Sequence, residues 1–229
     1  MKTRMISVMC VFLLAMFFSS ITNAQNLLNY EFGWSNDSSV APNFTAENLA
    51  GLSLTRGPGV NSNLAVVPGA FGAGNWATPS LPDLTNKYLS FGFEVDPLYY
   101  AELSMISFRG ESNNEGPRDF AIRSSLDNFG SNLHTFQTLG DGGPNLHVAN
   151  VSFDASVLGP VMGEVEFRIY QTSLNSPTAS TTSAGWFRIR GPGGGSGFSV
   201  GGDITAIPEP GSLMVLGGLS LVALLRRRR

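Results

Sequence analysis

Three sets of residues have types and spacings from which chemistry could be built. Glu94 with Asp96, and Glu164 with Glu166, stand at i, i+2. On a β-strand both members of such a pair point to one face, so a glycosidase-like acid and base pair is sterically conceivable. The same alternation also describes a solvated face, and no catalytic residue is assigned. Asp127-Asn128 and Asp141-Gly142-Gly143 offer hard oxygen ligands in loops. Asp127 and Asp141 are therefore the candidate ligands of a structural calcium ion, although no EF-hand or nonapeptide repeat frames them. Trp34, Trp76, Tyr99, Tyr100 and Trp186 lie near loop or strand-edge positions. Sugars present apolar C–H faces that stack on such rings, which makes these five the candidate polysaccharide contacts, in competition with plain core packing.

Other chemistries find no support. The chain has two histidines, His134 and His147, and neither is spaced as a metal ligand; there is no HExxH and no cysteine cluster. No GxSxG elbow ties a serine to a base. The run Gly191-Pro192-Gly193-Gly194-Gly195 lacks the Lys-Ser/Thr ending of a phosphate-binding loop and reads as a connection. Apart from the calcium candidate, no cofactor is expected.

The termini say where the chain is handled. Lys2 and Arg4 precede an apolar run from Met5 to Phe18, and Thr22-Asn23-Ala24 forms a small-residue cleavage site before Gln25. That is the pattern of a secretory signal peptide, cut by signal peptidase. Cys10 lies inside the apolar run, so its removal leaves a body without any thiol. At the other end Pro208-Glu209-Pro210 forces an extended entry into an uncharged stretch of 14 residues, Ser212 to Leu225, closed by Arg226, Arg227, Arg228 and Arg229. As a helix this stretch spans about 21 Å against a bilayer core of about 30 Å. The four arginines can snorkel to the interface and hold the end on the cytoplasmic side. A short transmembrane helix of this kind suits a temporary stop better than a permanent anchor.

The order Pro-Glu-Pro, short apolar helix, arginine cluster resembles the PEP-CTERM sorting signal, which is read in bacteria by the membrane protease-transpeptidases called exosortases. The resemblance covers 206–229. It implies removal of the tail near Pro208-Glu209-Pro210 after export, with exosortase as partner and the membrane as a transient one. Localisation in the envelope or outside the cell follows.

Charge separates the body from its signals. The chain holds 14 basic and 17 acidic residues, and six of the basic ones are Lys2, Arg4 and the four terminal arginines. Residues 25–210 keep 8 basic against 17 acidic, a net charge near −9, and Glu209 of the sorting signal is one of the 17. Nucleic acid is not an expected partner, because phosphate binding needs concentrated Lys and Arg.

The segments 1–24, 25–205 and 206–229 are read as signal peptide, one folded domain and sorting signal. Short β-rich runs recur in the body between Gly, Pro, Asn, Asp and Ser clusters, which predicts an all-β fold, an antiparallel jelly-roll-like β-sandwich of nine or ten strands. The signal-peptide helix and the short transmembrane helix flank it. Tyr88 to Val95 alternates Phe91, Phe93 and Val95 against Ser90, Gly92 and Glu94. Val165, Phe167 and Ile169 point inward against Glu166, Arg168 and Tyr170, and Phe187 and Ile189 against Trp186, Arg188 and Arg190. Glu111 to Pro117 reads as a polar loop, and Gly57 to Pro79 as a glycine-rich connection around Trp76.

Tyr30 and Phe32, the run Tyr88-Leu-Ser-Phe-Gly-Phe-Glu94, the run Phe120 to Asp127, Val165 to Tyr170 and the strand at Trp186 also resemble the β-sandwich domain of many PEP-CTERM proteins. That domain is similar to the jelly rolls of lectins and carbohydrate-binding modules. The expected function is an exported, non-enzymatic envelope or matrix protein that binds polysaccharide. A carbohydrate hydrolase or lyase on the same fold, and a purely structural adhesion component, are the alternatives.

Overall fold

The computed structural model describes residues 25–33, 38–62, 67–76, 83, 85–173, 185–194 and 197–208. The expected signal-peptide and C-terminal helices fall outside these residues, as do Trp34, Glu209, Pro210 and the four terminal arginines. Among the described residues no helix is long and apolar enough to cross a membrane.

The chain is all-β, built of antiparallel strands in two sheets. In order they are β1 (Gln25–Glu31), β2 (Ser39–Val40), β3 (Phe44–Thr45), β4 (Leu49–Arg56), β5 (Phe71–Gly74), β6 (Tyr88–Val95), β7 (Tyr99–Asn113), β8 (Asp119–Ser124), β9 (His134–Gln137), β10 (Gly140–Asp141), β11 (Leu146–Asp154), β12 (Pro160–Val161), β13 (Glu164–Gln171), β14 (Trp186–Arg190) and β15 (Gly197–Ala206). One sheet runs β2-β4-β6-β13-β8-β9. The other runs β10-β11-β7-β15-β1-β3, with β12 and β14 also paired to β7, and β5 to β14.

β7 is the spine of the second sheet. Its 15 residues are long enough for two partners in tandem on each edge: β11 then β12 on one, β14 then β15 on the other. The inward set changes along it, Ala101 and Leu103 in the first half and Ile106 and Phe108 in the second. The change falls at Ser104, where Gly201 pairs with Met105 and Gly202 with Leu103, leaving one extra residue on β7. An odd insertion in a two-residue period exchanges the faces. A matching break in β1 puts both Leu27 and Leu28 in the core.

The two sheets close on one aromatic core. Phe91 of β6 meets Phe198 of β15 edge-on with ring centroids 4.6 Å apart, and Phe120 of β8 meets Phe187 of β14 at 4.0 Å. Phe136 stacks on Phe120 at 5.0 Å and meets Phe108 edge-on at 5.6 Å, so the chain of rings is continuous from one end of the sandwich to the other. Each such pair adds about 0.5–1.5 kcal/mol beyond the area it buries. That suits a body with no disulfide to stabilise it.

Three expectations are corrected. Glu111 belongs to no loop: β7 continues to Asn113, because Glu111 is buried against arginines of β7 and β14. The connection from Gly57 contains a strand, β5, whose four residues are all buried beside β14. Tyr170, expected to face outward, is 2 % exposed because Tyr88, Phe129 and Arg123 surround its ring.

Candidate functional site

The outward row of β14 is Trp186, Arg188 and Arg190, and the outward row of β7 beside it is Arg109, Glu111 and Asn113. Antiparallel register sets Arg188 against Glu111 and Arg190 against Arg109. Both rows follow from the two-residue period, since Phe187, Ile189 and Phe108 face the core and force their neighbours out.

The three guanidinium groups converge on one carboxylate. Arg188 Nε–H donates to Glu111 Oε2 at 2.6 Å, Arg109 Nε lies 2.9 Å from Oε1, and Arg190 Nε lies 3.6 Å from Oε2. Glu111 is 2 % exposed, whereas the side chains of Arg109 and Arg190 are each 22 % exposed. Arg109 Nε and Arg190 Nε make no directed hydrogen bond, so their contact with Glu111 is chiefly Coulombic. Arg190 also donates through Nη2 to the Pro68 carbonyl at 2.9 Å.

Flanking groups hold the cluster in place. The Arg188 guanidinium lies 4.4 Å over the Trp186 ring, and the Trp186 backbone N–H donates to Asn113 Oδ1 at 3.0 Å. On the far side of β14, Gly72 and Gly74 are the partners of Arg188 and Trp186, so no β5 side chain competes for the space beside them. Gly194 in the following turn has φ +86° and passes so close to Arg109 that a Cβ there would sit 3.2 Å from Nη1. Burial holds the Arg188 pKa below its ordinary value, and the charges of Arg190 and Arg109 push the same way against Glu111. Three cations and one anion leave a local excess of two positive charges.

The aromatic candidates separate. Trp76 is fully buried: Nε1–H donates to the Ala73 carbonyl at 2.6 Å, and its ring meets Phe120 and Phe187 edge-on. It is a core residue, which overturns its place among the sugar contacts. Tyr99 packs against the core at the start of β7, and Tyr100 beside it pairs with Thr205. Trp186 is half-buried and stands in the arginine row. The stacking candidates thus form no single platform among the described residues.

The acidic candidates are engaged or dispersed. The Asp127 carboxylate accepts the backbone N–H groups of Gly130 and Ser131 and the Ser131 hydroxyl, so it staples its own turn, and these bonds hold its pKa below the usual carboxylate range. Asp141 lies in β10, on the other sheet. No three of His, Cys, Asp and Glu gather among the described residues as a metal site would require. Glu94 stands opposite Glu164 in the β6–β13 register, a like-charge pair at one end of its sheet. Glu166 is occupied by Arg168, bound bidentately at 2.7 and 3.0 Å, and the same guanidinium lies over Tyr88 and Phe129.

Arg109, Glu111, Arg188 and Arg190 are not among the sequence candidates. The alternation Trp186 to Arg190 was visible, but its pairing with β7 joins residues 77 apart, a relation no local pattern carries.

β15 delivers the chain to its last segment. It pairs with β7 as far as Ala206 opposite Tyr99, and the Ile207 N–H donates to the Leu98 carbonyl at 2.8 Å before Pro208 emerges exposed. Neither a curated protein nor a solved structure matches the chain. Residues 206–229, beginning where β15 ends, match the PEP-CTERM protein-sorting motif.

Proposed function

We propose that this is an exported, non-enzymatic protein of the cell envelope or extracellular matrix, released from a transient membrane stop by an exosortase, and that its jelly-roll-like sandwich binds polysaccharide. The sorting motif at 206–229 carries the reading. It begins at the last residue of β15, so cleavage near Pro208-Glu209-Pro210 would spare every strand of the sandwich. Cleavage before Gln25, as expected from the sequence, would leave β1 (Gln25–Glu31) whole. The chain alternates between its sheets at β6–β7, β7–β8, β9–β10, β12–β13 and β13–β14, which supports the jelly-roll reading. The carboxylates Glu111, Asp127 and Glu166 are committed to arginines or to their own turn, which favours binding over hydrolysis.

The test replaces Pro208, Glu209 and Pro210 with alanine and follows the mass of the protein in the producing cell. Retention of the tail in the variant is expected; processing identical to the parent overturns the sorting role.

A further inference from the structure

We propose that the outward face formed by Arg109, Arg188, Arg190 and Trp186 is the binding site for a carboxylated polysaccharide. This rests on the polysaccharide reading above and adds to it a place and a chemical class.

The argument begins with an imbalance. Eight basic residues lie in a body of net charge near −8, and three of them surround a single carboxylate. One buried carboxylate neutralises one guanidinium in full. The other two remain close together in a half-buried setting, where solvent screens their repulsion poorly. An arriving anion relieves that repulsion, so the site gains more from a second carboxylate than an isolated surface arginine would.

The exposure of the arginines points the same way. Arg109 and Arg190 are the two most exposed arginines of the cluster, each side chain 22 % exposed; their Nε atoms are buried against Glu111, so an arriving anion meets the exposed remainder of each side chain. Guanidinium groups present paired N–H donors that match a carboxylate bidentately.

A polymer fits better than a small ion. Trp186 and Arg190 lie four residues apart on one strand, about 13 Å, so an apolar ring and the cations are offered in line along β14. A sugar ring can lie against the half-buried indole while the carboxylate of the same chain meets the arginines. The rest of the body repels an acidic chain, which confines attachment to this face.

The test uses the full chain in a non-ionic detergent, run by affinity electrophoresis through gels containing polygalacturonate, dextran sulfate or neutral dextran. The terminal arginines are common to every arm, so differences between variants read the cluster. Retention by polygalacturonate is expected, weakened by raised salt and about tenfold or more by Arg109→Gln/Arg190→Gln, as expected when two charge-assisted contacts are lost. Arg190→Lys keeps the charge but not the paired donors, so its retention should fall between those of the parent and Arg190→Gln. If the double variant does not give the parent thermal melt, Arg190→Gln alone serves, with a smaller loss in the same direction. Equal retention of parent and folded variant by polygalacturonate overturns the site. Stronger retention by dextran sulfate, lost in the variant, overturns the carboxylate class. Retention by neutral dextran alone, unchanged in the variant, overturns this inference while leaving the broader polysaccharide reading intact. No retention in any gel overturns both.

Discussion

The hydroxyl of Tyr30, on β1, donates across the sandwich to the carbonyl of Leu52, on β4, at 2.5 Å. Leu52 sits where the register of β4 against β6 breaks, between Leu52 and Thr55, and the phenol reaches its carbonyl at that irregular point. A shielded acceptor gains from a donor that water reaches poorly, and the phenol supplies one from the opposite sheet. Burial raises the Tyr30 pKa, so the hydroxyl keeps its proton and remains a donor.

Tyr30→Phe should therefore lower stability by about 0.5–1.5 kcal/mol, because the ring still packs while the Leu52 carbonyl loses this donor. Urea unfolding followed by fluorescence measures it. A variant as stable as the parent would mean that water replaces the phenol.

Trp76→Phe should cost about 2–3 kcal/mol, through the lost bond to the Ala73 carbonyl and the smaller ring between Phe120 and Phe187. Retention by polysaccharide should not change, since Trp76 is fully buried. Altered retention with normal stability would restore Trp76 as a sugar contact.

These two residues also mark what the sequence makes legible. The strand Tyr88 to Val95 and the inward set Val165, Phe167 and Ile169 could be read directly, because strict alternation over eight residues is a local signal. Leu28, Tyr30 and Phe32 likewise share the core. Trp76 could not be placed, since its burial depends on β5 pairing with β14 more than a hundred residues later. The end of β7 was hidden for a related reason. A glutamate followed by Ser112, Asn113 and Asn114 has loop composition, and pairing with the distant strands β11 and β14 makes it a strand residue. The face change at Ser104 leaves no mark on composition at all.

The pH dependence of stability should carry the signature of His134. Its ring stacks on Phe153 with centroids 4.5 Å apart and planes 3° apart, joining β9 to β11, and burial lowers its pKa from the ordinary 6.5. A folded pKa below the unfolded one means that the unfolded chain binds the proton more readily. The contribution is thus present above pH 6.5 and is lost as pH falls through the lowered folded value. His134→Phe keeps a ring against Phe153 and removes the titration. Thermal melts between neutral and mildly acidic pH should show a smaller decline in the variant; parallel declines would place the sensitivity elsewhere.

Arg118 tests the opposite case, a buried cation without a counter-charge among the described residues. It is 3 % exposed, Nη1–H donates to the Thr138 carbonyl at 3.3 Å, and Nε and Nη2 have no hydrogen-bond partner. Burial accordingly lowers its pKa. A desolvated guanidinium with one long hydrogen bond recovers little of its hydration, so an apolar side chain of similar length should be tolerated better than the native one. Arg118→Met is expected to stabilise the sandwich by roughly 1–3 kcal/mol, after the Thr138 carbonyl loses its donor. The contrast with Arg188 is the control, because that guanidinium is paired with Glu111, and Arg188→Met should destabilise by leaving a buried carboxylate short of its nearest partner. If both substitutions destabilise to the same degree, Arg118 is compensated within the fold and its burial is no liability.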